Sequence, residues 1–158
     1  MNQFYSDARV EDTLRIQSAA LKILKKLERS IVTGGYAVNH YIVEPAYRRF
    51  SDDIDFLVER VPENSTQIGR NEYKIEIGKG YTSSNLRLFF VVLKENEFEK
   101  ILKKSCPTIL NTFLEYFKRE KELETWVLSK HLIFTQKLKL LGRVERGNET
   151  LKDLYDVG

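Results

Sequence analysis

The stretch IVTGGYAVNHYIVEPAYRRFSDDIDFLVE, residues 31–59, decides the fold because its apolar period changes twice. Ser30 to Thr33 is a short β-branched run, which fits a pleated, half-buried strand. Gly34 and Gly35 end it, and Tyr36 to Val43 takes up a helical pattern that Pro45 must stop. After a polar stretch, Asp53 to Val58 alternates and then turns continuously apolar, the pattern of a strand buried along most of its length. The predicted order is therefore strand, glycine turn, helix, strand.

Working outward, Ile16, Ala20, Ile23, Leu24 and Leu27 recur at three- and four-residue steps within Val10 to Leu27, with Lys22, Lys25, Lys26 and Glu28 on the opposite side. That is an amphipathic helix. Downstream, Tyr73 to Ile77 alternates, Gly78, Gly80, Ser83 and Ser84 make a turn, and Leu86 to Leu93 reads as a long strand. Short polar loops between these strands imply a small mixed or antiparallel sheet. From Glu95 the composition shifts, and helices are expected at Glu97 to Lys104, Thr108 to Lys121, Trp126 to Leu141 and Glu149 to Asp156. The expected fold is α+β: a sheet-containing core over residues 1–94, with a helical half over 95–158 packed against it as one compact unit.

Composition narrows the function classes. A chain of 158 residues with 42% hydrophobic and 31% charged content fills one core and excludes two large domains. Lys and Arg total 26 against 23 acids, a net +3 too mild to mark a polyanion binder by itself. The single Cys106 and the two histidines, His40 and His131, exclude a disulfide framework and a cysteine- or histidine-built metal site. The longest apolar run, Leu88 to Leu93, is far below the roughly 18 residues that cross a bilayer. The N-terminal residues have no apolar signal core, so the expectation is a cytoplasmic protein without membrane contact.

Two features carry chemistry. Asp53 and Asp55 flank one apolar residue, and a two-residue period sends both carboxylates to one face while Ile54 points to the core. Adjacent acids repel, and a divalent cation relieves that repulsion; oxygen-only donors favour magnesium or manganese over zinc. Acids at a strand entrance are also commonly just solvated. Gly34 and Gly35 lie between strand and helix, where backbone N–H groups and the helix field suit phosphate oxygens, although a glycine pair alone often marks only a tight turn.

Taken together, the glycine pair, the helix and the run from Arg49 through Ser51 to Asp53 and Asp55 resemble the core of the DNA polymerase beta-type nucleotidyltransferase superfamily. More narrowly they are similar to the AbiEii-like toxin and minimal nucleotidyltransferase group. Lys137, Lys139 and Arg143, followed by Lys152, Asp153, Tyr155 and Asp156, are similar to that group's lysine helix and its later Lys/Arg-Asp-Leu-Tyr-Asp helix. The resemblance implies a nucleoside triphosphate held by the backbone of Gly34 and Gly35, with Asp53 and Asp55 binding two Mg2+ (or Mn2+) ions. It implies that Ser51 and Arg49 touch phosphate or brace the loop, that Lys137 or Lys139 reaches the triphosphate, and that Asp153 and Asp156 orient that lysine or close the cleft. It further implies transfer of a nucleoside monophosphate to an RNA or protein acceptor, and an antitoxin protein as a partner.

The chain departs from the family pattern in three places. No carboxylate lies within Leu86 to Leu93, where catalytic members place a third acid; Glu76 is the expected substitute, ahead of Glu95. Tyr36 stands where a small Ser or Thr usually follows the glycines, and the chain ends two residues after Asp156, where relatives continue. These departures sustain an alternative: a catalytically degenerate member that binds nucleotide or a partner without turnover.

Overall fold

A computed structural model of the chain describes residues 7–42, 52–81, 85–109 and 124–141. The fold is α+β, built on one open mixed sheet. Helix α1 (Asp7–Leu27) leads into β1 (Ile31–Thr33), and α2 (Gly34–Tyr41) begins on the glycine pair itself. Then come β2 (Asp53–Val58), β3 (Thr66–Gln67), β4 (Glu72–Lys79), β5 (Asn85–Val92) and helix α3 (Glu95–Leu102). The described chain finishes with β6 (Cys106–Ile109), β7 (Glu124–Val127) and α4 (Lys130–Leu141).

Among the described residues the strands are ordered β3-β4-β5-β2-β1-β7-β6. β2 runs parallel to β5, and β1 parallel to β7. The other neighbouring pairs are antiparallel. Strand alternation sets the core: Val32, Ile54, Phe56, Val58, Leu88 and Phe90 are all buried. Val32 pairs with Phe56 and Phe56 with Phe90, so these side chains share one face. The Phe56 and Phe90 rings stack with centroids 5.5 Å apart. Ile16, Ala20, Leu24 and Leu27 of α1 join the same cluster, as their helical spacing predicts.

Arg29, just past α1, staples the open end of this core. Its Nη2 lies 2.8 Å from Glu59 Oε1 and its Nη1 2.6 Å from Glu99 Oε1, joining the end of β2 to α3. The hydrogen bond that Arg29 donates to Glu99, and then the one it donates to Glu59, raise the Arg29 pKa above its ordinary value. Because the folded value is the higher one, this contribution holds while Arg29 is charged and both carboxylates are ionised, and it fades as pH climbs through the raised value.

The expected helical half is corrected in part. Thr108 and Ile109 belong to β6, not to a helix start, and Trp126 and Val127 belong to β7, so α4 begins only at Lys130. The physical reason is the edge of β1. Ile31 and Val32 lie opposite Trp126 and Val127, and the Leu128 N–H donates to the Val32 carbonyl at 2.9 Å. Without that partner, a buried strand of three residues would leave backbone groups unsatisfied on one side. Pro107, read from sequence as a helix break, sits on the terminal strand of the sheet, where a missing N–H is tolerated. The remainder of the expected 108–121 helix and the final Glu149 to Asp156 helix lie outside the described residues. No helix among the described residues is long and apolar enough to cross a membrane.

Candidate functional site

The acid pair sits at the start of β2. Ile54 is fully buried, and Asp53 and Asp55 on either side are half-buried on the opposite face, as the two-residue period requires. In the β1–β2 ladder Thr33 lies opposite Asp55, which brings the turn after β1 to the acids. Gly34 makes that turn with φ +68°, a left-handed conformation that disfavours any side chain. A Cβ on Gly34 would collide with Asp55 Oδ2 and lie 3.1 Å from Asp55 Cγ. Glycine is needed there for both reasons, and the glycine turn and the second carboxylate form one contiguous surface.

The flank of the site on β5 was not legible in sequence. In the parallel β2–β5 register Asp53 lies opposite Arg87 and Asp55 opposite Phe89, so these four side chains share a face. Arg87 Nη2 is 3.8 Å from Asp53 Oδ2, and its guanidinium lies 5.3 Å from the centre of the Phe89 ring. The Arg87 Nε is buried with no hydrogen-bond partner among the described residues. The apolar alternation of Leu86, Leu88 and Phe90, all buried, was the usable signal that Arg87 and Phe89 face away from the core; what they face depends on register.

Glu76 lies opposite Arg87 in the β4–β5 ladder, on the face of the acid pair and away from the core, as alternation predicts. However, β5 and Arg87 stand between it and Asp53. At about 4.8 Å per strand, Glu76 is roughly 10 Å across the sheet from Asp53. Its carboxylate is exposed and bonded to Lys74 Nζ at 3.1 Å. Glu95 is exposed at the start of α3. Tyr36 is buried in the core, only 1% exposed, and does not face an open pocket.

On the other side, α4 packs against α2, the helix that begins on the glycine pair. Lys137 of α4 is only 7% exposed, an unusual position for an ammonium group. Tyr41 Oη donates to the Leu128 carbonyl at 2.7 Å and locks the end of α2 to the segment leading into α4. Lys139 also lies on α4. Arg49, Ser51, Asp153 and Asp156 lie outside the described residues.

The donor set suits one hard cation: two carboxylates on one face, beside a turn that presents backbone rather than side chain. Among the described residues no group of three or more His, Cys, Asp or Glu is arranged to hold a metal. No family model matches the chain, and neither does any curated protein or solved structure.

Proposed function

We propose that the protein is a magnesium-dependent nucleotidyltransferase of the DNA polymerase beta type, resembling the AbiEii-like minimal enzymes. The observation that carries this reading is the abutment of the Gly34 turn on the Asp55 carboxylate, since a triphosphate bound with its cation needs both within reach of one phosphate chain. Asp53 and Asp55 would hold Mg2+ or Mn2+. When bound, the cation would stabilise charge developing on the phosphoryl oxygens and favour an ionised acceptor hydroxyl. The backbone of Gly34 and Gly35 would cradle the triphosphate, and Lys137, buried on the helix against α2, would add a positive charge to that side. Arg49, Ser51, Lys139, Asp153 and Asp156 keep the roles the resemblance gives them. The acceptor oxygen, from an RNA end or a protein side chain, would bond to the α-phosphorus as the bond to the β-phosphate oxygen breaks, releasing pyrophosphate. An antitoxin partner fits the same family reading.

The test is transfer of label from an α-labelled nucleoside triphosphate in the presence of magnesium. Asp53→Asn should abolish transfer while leaving the melting temperature close to that of the wild-type, because Asp53 is only half-buried. Equal transfer by the variant would refute the assignment.

A second reading has its own observation. Arg87 and Phe89 face the acid pair from β5, where a catalytic member would present a third carboxylate. A degenerate member would bind nucleotide or a partner without turnover. Calorimetric titration with ATP or GTP and magnesium separates the two, since heat of binding without pyrophosphate release favours the second.

A further inference from the structure

We infer that Arg87 occupies the place of a second cation, so that the Asp53–Asp55 site takes a single divalent ion. This inference rests on the reading of that pair as cation ligands. It follows from register. In a sheet, an acid's same-face neighbours on the adjoining strands are the side chains near enough to share an ion with it. For Asp53 that neighbour on β5 is Arg87, at 3.8 Å from Nη2 to Oδ2, and for Asp55 it is Phe89.

A two-ion site sets its cations about 3.5–4 Å apart, bridged by shared carboxylates. Here the corresponding space beside Asp53 holds a fixed positive charge and an apolar ring, which repel and fail to ligate a second ion. Two contacts keep the guanidinium there. Its plane lies by the Phe89 ring at 5.3 Å, and it faces Asp53. The one acid across from it on β4, Glu76, is bonded to Lys74 at 3.1 Å. Among the described residues the buried Nε of the planar fork has no hydrogen-bond partner, so Arg87 has donor capacity that Asp53 does not use. Arg87 is thus a positioning and charge-setting residue on the flank of the pair, and it limits how many ions the pair can hold.

Mn2+ alone is the probe, counted by electron paramagnetic resonance of the full chain during titration. The wild-type should bind one Mn2+ per chain. Arg87→Glu, which supplies a carboxylate in register with Asp53, should bind two. Arg87→Gln, close in shape but neutral, should still bind one, roughly tenfold more tightly, the size of the shift a contacting charge imposes on a neighbouring ionisable group. Arg87→Gln also keeps the inference testable should the glutamate variant fail to fold. Two Mn2+ bound by the wild-type, a single ion in folded Arg87→Glu, or unchanged affinity in Arg87→Gln would each overturn the inference while leaving the acid pair as ligands. No Mn2+ bound by the wild-type or Arg87→Gln would instead overturn the reading of Asp53 and Asp55 itself, and this inference with it.

Discussion

Gly34 and Asp55 form a pair that neither residue explains alone. The glycine's φ of +68° would cost an alanine roughly 1–2 kcal/mol. Its Cβ would also strike the Asp55 carboxylate. Gly34→Ala should therefore lower the urea midpoint, and Asp55→Ala in the same chain should relieve the collision with the carboxylate while leaving the backbone cost. The two changes are expected to be less than additive, with a coupling above about 0.5 kcal/mol; additivity within that margin would show that the turn and the carboxylate do not touch. At this scale the sequence was readable where chemistry is local. The glycine turn after a β-branched run and the alternation of Asp53, Ile54 and Asp55 at the opening of a strand are set by local period, so their placement was readable. Arg87 was not readable, because its partner is chosen by the β2–β5 register and not by its neighbours in the chain.

Among the elements, β2 bears most of the functional argument, and Ile54 is the residue that aims it. Fully buried between the two acids, it fixes which face they occupy. Ile54→Val should cost about 0.5–1.5 kcal/mol and Ile54→Ala about 2–5 kcal/mol of unfolding free energy, measured by denaturant titration. A cost below about 0.5 kcal/mol for the alanine variant would place Ile54 outside the packed core. Among the long or patterned segments, α1, β2, β4 and β5 were legible because period and burial agree in each. β6 and β7 were not. Thr125, Trp126 and Val127 do favour a strand by type, but Leu128, Leu132 and Ile133 continue at helical spacing into α4 and pull the local reading towards helix. Pairing with β1 outweighs that local preference, and no window of sequence contains both partners.

Over the whole molecule, one sheet draws strands from both sides of residue 94, and its middle strands β5, β2 and β1 bring Arg87, the acid pair and the glycine turn side by side. α4, anchored beyond β7, sets a buried Lys137 on the helix packed against α2. The expected purely helical second half leaves β1 without a strand on that side; in the observed topology β7 pairs with β1 and leads into α4. What the sequence could suggest was the composition of the site, and what it could not suggest was the flank contributed by β5. The central claim is that Asp53 and Asp55, against the glycine turn, grip a nucleoside triphosphate through a divalent cation. The most direct measurement is the melting temperature with magnesium and each common ribonucleoside triphosphate, for the wild-type and for Asp53→Asn/Asp55→Asn. At about 100 times the dissociation constant, binding adds about 2.7 kcal/mol. For a chain of this size that is a rise of roughly 5–10 °C. The account predicts that rise with at least one nucleotide in the wild-type and its loss in the double variant; no rise with any nucleotide, or an equal rise in both proteins, would contradict it.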